Sequence, residues 1–155
     1  MIVDDEPMIR MQYEAALAKY FPDIIQAENG QQAWEIFRSL KDIPVVVTDI
    51  DMPKKDGIWL MGQIEKVNPA TFVIIVSSLT GNSVSIHSIK ETVAYLPKPV
   101  GRMILALAVL RAYDLYAQTR WMNTIKDELK KEYRDEKRIW SIINDNPWQL
   151  SPIAE

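Results

Sequence analysis

At 155 residues, with 48% hydrophobic and 25% charged residues, the chain has the balance of one globular domain and is too short for two ordinary ones. Cysteine is absent, which excludes disulfides, thiol catalysis and thiolate metal sites. A net charge of -3 gives no electrostatic reason to expect nucleic acid as a partner, and no apolar run approaches the ~20 residues that cross a bilayer, so a cytoplasmic protein is expected.

From residue 2 to residue 99, short β-branched runs alternate with stretches of helical period, a pattern that leads to a parallel sheet covered on both faces. Met1-Ile2-Val3 reads as the end of a strand, and Asp4-Asp5-Glu6-Pro7 supplies a cap and a proline suited to a first helical turn. Ile9, Tyr13, Ala16, Leu17 and Tyr20 predict a helix over residues 7 to 20. Ile24-Ile25-Gln26-Ala27 is the second strand, Asn29-Gly30 a turn, and Ala33, Ile36, Phe37 and Leu40 the inner face of the second helix. Val45-Val46-Val47-Thr48 is the clearest strand, since four successive β-branched residues suit burial on both faces.

After the loop from Asp49 to Gly57, Leu60, Met61, Ile64 and Val67 mark a third helix, and Phe72-Val73-Ile74-Ile75-Val76 a buried strand. Residues 82 to 92 predict a weaker, polar helix carrying His87, which reads as a surface residue. Ala94-Tyr95-Leu96 is a short fifth strand, stopped by Pro97 and Pro99. From Arg102 to Asn146 there is neither proline nor glycine, so one helix is expected over most of that length. Ile104, Leu107, Ala108 and Leu115 are its expected sheet-facing residues, and Ile125, Leu129, Tyr133, Trp140 and Ile143 a second stripe farther on. Residues 126 to 138 hold six basic and five acidic residues, which reads as a solvated face and not as a phosphate-backbone stripe.

In a doubly wound sheet the loops after the strands open on one edge, and ligands bind where the strand order reverses. In the order 2-1-3-4-5, Asp4 and Asp5 after the first strand stand beside Asp49 after the third. Three clustered carboxylates repel one another, so a hard divalent cation with oxygen ligands, Mg²⁺ first, is the natural occupant. Lys98, ending the fifth strand, reaches the same edge, and Ser77, ending the fourth, adds a hydroxyl. Singly, an acid pair before a helix is a cap and a lysine is a solvated one. An acid pair, an Asp, a hydroxyl and a lysine ending successive core strands is the rare combination.

Val3-Asp4-Asp5-Glu6-Pro7, Val47-Thr48-Asp49-Ile50-Asp51-Met52-Pro53 with Asp56-Gly57, Ser77-Ser78 and Tyr95-Leu96-Pro97-Lys98-Pro99 closely resemble the CheY-like receiver domains of two-component response regulators. The resemblance covers residues 1 to 115 and implies a flavodoxin-like α/β fold, with residues 116 to 155 left as an extended C-terminal helix and tail. It implies that Asp49 accepts a phosphoryl group from a histidine kinase or histidine phosphotransfer protein, as a signalling phosphoacceptor and not as a turnover enzyme. It also implies that Asp5, Asp49 and the backbone carbonyl of Asp51 ligate Mg²⁺, with Asp4 acting through water. Ser77 would hydrogen-bond the phosphoryl group, Lys98 would pair with it, and Tyr95 would report the switched state on the surface from the fourth strand to the last helix.

Departures from the pattern bear on its edges. Three residues precede the acid pair where a central strand has ~5 to 6, so further residues before Met1 are expected. Ser77 replaces the commoner threonine, the step before the fifth strand is shortened, and Asp51 adds a carboxylate expected to alter dephosphorylation through how water is held. A rival reading takes Val46-Val47-Thr48-Asp49-Ile50-Asp51 as the start of a haloacid-dehalogenase-like phosphatase, with Asp49 the turnover nucleophile and Asp51 the general acid. That family places its second acid pair downstream, whereas here the pair lies upstream and Met52-Pro53 follows. A third reading is a receiver-like scaffold acting through its long helix, as a homodimer seam or as the link to an output module. Met122, Ile125, Leu129, Ile139 and Ile143 fit heptad core positions there, while Glu132 and Glu136 interrupt them.

Overall fold

The computed structural model describes residues 1–40, 42–78 and 93–145, with side chains in the last helix as far as residue 138. Five strands form one sheet: β1 (Ile2–Val3), β2 (Gln26–Ala27), β3 (Val45–Thr48), β4 (Phe72–Ser77) and β5 (Val93–Pro97). Every neighbouring pair is parallel and the order is β2-β1-β3-β4-β5, the doubly wound topology expected from the alternating pattern. The helices are α1 (Pro7–Leu17), α2 (Gly30–Leu40), α3 (Gly57–Val67) and α4 (Arg102–Asp145). The polar helix expected at 82 to 92, His87 included, lies outside the described residues.

The central strands are apolar because both faces are covered. Val45 and Val47 of β3, with Ile74 and Val76 of β4, pack toward Tyr13, Ala16 and Leu17 of α1 and Leu105 and Val109 of α4. The alternate residues Val46, Val73 and Ile75 pack toward Ala33 and Phe37 of α2 and Leu60 and Ile64 of α3. This is the two-residue period of a strand read on two buried faces. Each buried Val, Leu, Ile or Phe among them contributes roughly 1.5–3 kcal/mol by leaving water.

Boundaries differ from expectation for identifiable reasons. α1 stops at Leu17 and not at residue 20: the Tyr20 amide closes a tighter three-residue turn onto the Leu17 carbonyl, and Pro22 disfavours helix in the residue before it. β2 pairs only over Gln26–Ala27, although Ile25 still accepts from the Ile2 amide at 2.8 Å. β5 reaches Pro97, which an edge strand tolerates.

The expected inner face of the last helix requires correction. Ile104 and Leu107 are exposed, at 57% and 59%, while Leu105, Ala106, Val109, Ala112 and Tyr116 are buried. Residues 103 to 110 are apolar without a break, so periodicity could not choose among the faces. Ala108 and Leu115 are partly buried against the core, as expected. Tyr116 also donates its hydroxyl to Asp42, which fixes the helix against the loop before β3.

The chain divides into two compact units, Met1–Gln118 and Thr119–Glu155. In the second unit, Trp121, Met122, Leu129 and Tyr133 are exposed among charged neighbours. Its Lys130–Asp127 pair, at 3.9 Å and largely in solvent, adds little stability. No described helix is long and apolar enough to cross a membrane.

Two glycines hold the loop after β3. A Cβ on Gly57 would stand 2.0 Å from the Asp49 carbonyl oxygen, and one on Gly30 2.5 Å from that of Lys55. Any side chain at either position would push the loop off the sheet edge. The Gly30 amide donates to that same Lys55 carbonyl, and the Gly57 amide donates to the carbonyl of Ile50, the residue after Asp49. Asp56 caps α3 by accepting from the Trp59 amide at 2.6 Å.

At the opposite edge, the Met1 ammonium donates to the Val45 carbonyl at 2.8 Å, beside a cavity of about 470 Å³ that Ile24, Ile25 and Pro44 help to line.

Candidate functional site

The carboxyl ends of β1, β3 and β5 bring together side chains that are far apart in sequence. Asp4 follows β1 and is 1% exposed, and its Oδ1 accepts from the Glu6 amide at 2.9 Å, which turns the chain into α1. Asp49 follows β3 and is 8% exposed, and its Oδ1 accepts from the Ile50 amide at 2.6 Å. The Asp49 amide donates to the Val3 carbonyl, so β1–β3 pairing continues to the acidic residue itself. Thr48 Oγ1 donates to the Asp49 carbonyl, holding that residue from the strand side.

Lys98 enters from β5. Its amide donates to the Ser77 carbonyl at 2.9 Å, which aims the side chain across the ends of β4 and β3. Its Nζ then donates to Asp49 Oδ2 at 2.7 Å and to Asp4 Oδ2 at 3.0 Å. Burial opposes the lysine's charge, but the hydrogen bonds to Asp49 and Asp4 outweigh it and hold the ammonium well above the usual lysine range. Charge-assisted bonds of this kind contribute about 1.5–3 kcal/mol each.

Asp5 is exposed and completes the acidic group. Asp4, Asp5 and Asp49 each offer a carboxylate oxygen, and these oxygens lie within 4.8 Å of one another. Three carboxylates and one lysine leave a formal charge of -2, from -3 and +1, and all the donors are oxygen. That set fits a hard divalent ion such as Mg²⁺ and suits no soft metal. Both oxygens of Asp4 and both oxygens of Asp49 already accept protein donors, whereas Asp5 faces solvent.

The remaining expected residues are distributed as follows. Ser77 is buried at the end of β4, and its carbonyl accepts both the Lys98 amide and the Tyr95 hydroxyl, the latter at 3.3 Å. Tyr95 is half-buried on β5, in register with Ile75. Asp51 is exposed in the loop after Asp49, and the carboxylate cluster among the described residues is made without it. Arg10 had not been singled out: its Nη1 donates to the Asp4 carbonyl at 2.6 Å. No motif marks it, because its partner is a backbone atom.

Comparison with known proteins bears on the family and the fold. The family model described as "Response regulator receiver domain" matches residues 1–110. A chemotaxis protein CheY homolog of Campylobacter jejuni is 28% identical over 109 residues, covering 68% of this chain and 84% of that protein. A protein-glutamate methylesterase/protein-glutamine glutaminase of Archaeoglobus fulgidus is 30% identical over 145 residues, covering 88% of this chain but 40% of that protein. Among solved structures, a response regulator receiver domain protein from Clostridium thermocellum superposes with a TM-score of 0.66 at 30% identity, covering 73% of this chain and 91% of that one. With the family model spanning most of its length and the acidic edge in place, this chain belongs to the response regulator receiver domain family.

Proposed function

We propose that Asp49 accepts a phosphoryl group from a histidine kinase or a histidine phosphotransfer protein, and that the chain acts as a signalling phosphoacceptor in the cytoplasm. The observation that carries this reading is the Lys98 ammonium, which sits on Asp49 Oδ2 and Asp4 Oδ2 together. Among the described residues it marks the edge where three carboxylates and a cation meet. Asp5 and Asp49, with the Asp51 backbone carbonyl, would hold Mg²⁺, and Asp4 would act through water. Receiver domains generally bind Mg²⁺ at such an acidic pocket, where it neutralises charge on the transferring phosphoryl oxygens.

The protein's own part is positioning. An Asp49 carboxylate oxygen attacks phosphorus, the bond from phosphorus to the donor imidazole nitrogen breaks, and the electron pair leaves with the imidazole. Each Asp49 oxygen carries a donor, Oδ1 the Ile50 amide and Oδ2 the Lys98 ammonium, so the one that attacks must give up its bond or share it. Lys98 then pairs with a phosphoryl oxygen, and the Ser77 hydroxyl donates to another. These contacts exist only in the phosphorylated state, so they bias a two-state equilibrium of the surface from β4 to α4. Tyr95, already bonded to the Ser77 carbonyl, is placed to report that change. Upstream placement of the acid pair and membership in the receiver family support a phosphoacceptor over a phosphatase with turnover.

Residues 116 to 155 would pair two chains or lead to an output module. The exposed Met122, Leu129 and Tyr133 support an apolar seam there.

Incubation with Mg²⁺ and a small phosphodonor is expected to add ~80 Da to the protein, and Asp49→Ala to abolish the addition. An adduct that survives in Asp49→Ala places the acceptor elsewhere. Sedimentation of the whole chain is expected to show a dimer. A monomer both with and without a phosphoryl mimic removes the pairing role.

A further inference from the structure

A second network ends on the same edge without touching the clustered carboxylates. Arg10, half-buried on α1, donates through Nη1 to the Asp4 carbonyl at 2.6 Å and through Nε to Gln26 Oε1 at 3.3 Å. Gln26, on β2, donates through Nε2 to Glu14 Oε2 at 2.9 Å, one helical turn beyond Arg10. The guanidinium is thereby held between the end of β1, the neighbouring strand and its own helix. Its charge is balanced by Glu14 through the Gln26 amide.

The carbonyl that Arg10 holds belongs to the peptide joining Asp4 to Asp5. A peptide unit is planar and rigid, so fixing its oxygen sets the direction in which the Asp5 Cα leaves it. The other two carboxylates have anchors of their own. Asp4 is held by the Glu6 amide and Lys98, and Asp49 by the Ile50 amide and Lys98. Among the described residues the Asp5 carboxylate, which is exposed, takes part in no hydrogen bond or ion pair. Its aim depends on the peptide before it.

We propose that Arg10, braced by Gln26 and Glu14, is a positioning residue for divalent-cation binding: by clamping the Asp4–Asp5 peptide it directs the Asp5 carboxylate to the oxygens of Asp4 and Asp49. The inference rests on reading those three aspartates as an Mg²⁺ site. Charge alone predicts the opposite sign. A guanidinium beside an acidic pocket repels a cation, so deleting it without any positioning loss would tighten Mg²⁺ binding. Partners that orient metal ligands from outside the ligand set are worth about 10–100-fold in affinity, enough to reverse that sign.

The test titrates the full chain with MgCl₂ by calorimetry at constant ionic strength, with a thermal melt of each variant. Arg10→Ala is expected to weaken Mg²⁺ binding about tenfold. Gln26→Leu, which leaves every charge in place and loosens only the brace, is expected to weaken it by a smaller factor. Arg10→Lys, which keeps the charge and one donor, is expected to recover part of the affinity. Variants that bind Mg²⁺ as tightly as the parent or more so, whatever their melting temperatures, overturn the inference and leave the metal site standing. A parent chain that takes up no Mg²⁺ overturns the metal site and the inference together.

Discussion

The contact on which the site depends is the Lys98 ammonium bridging two carboxylates that the sheet has placed side by side. Asp4 and Asp49 are both almost fully buried, and β1–β3 pairing forces them together whether or not a cation is present. Two desolvated like charges at that distance are tolerable only with a counterion. The chain carries one counterion in its own sequence, at residue 98, and leaves a formal deficit that matches a divalent ion. Under the proposed function, an incoming phosphoryl group would compete for this lysine, whose backbone amide is bonded to the Ser77 carbonyl.

That edge is held together by ordinary strand geometry and two steric constraints. β3 and β4 are buried on both faces, which fixes their register and hence where Asp49 and Ser77 emerge. Gly57 and Gly30 let the following loop lie against the Asp49 and Lys55 carbonyls more closely than any side chain would permit. Arg10 adds a third restraint from α1. Each acts on backbone, so the acidic side chains keep their oxygens for Lys98, for amides that orient them and for an ion.

The sheet order and the convergence of Asp4, Asp5, Asp49 and Lys98 were legible in the sequence, because strand ends in a doubly wound sheet share one edge and each of these residues follows an apolar run. Less could be read where the pattern was saturated or the partner was backbone. Residues 103 to 110 are apolar on every side, so the burial of Leu105 in place of Ile104 depends on how α4 meets the sheet and on the Tyr116–Asp42 contact. Tyr20 carries the right spacing for α1 but lies beyond the point where Pro22 ends it. Nothing in the sequence pattern links Arg10, Gln26 and Glu14. Their connection passes through a carbonyl and an amide that no side-chain motif records.

The account stands on coupling between residues 94 and 49 positions apart in the chain. A double-mutant cycle on Lys98→Met and Asp49→Asn, read by urea denaturation without added metal, measures it directly. The pairing predicts that the double mutant departs from the sum of the two single effects by about 1 kcal/mol or more. Additivity to within about 0.3–0.5 kcal/mol would mean that Lys98 and Asp49 do not share a pocket in solution.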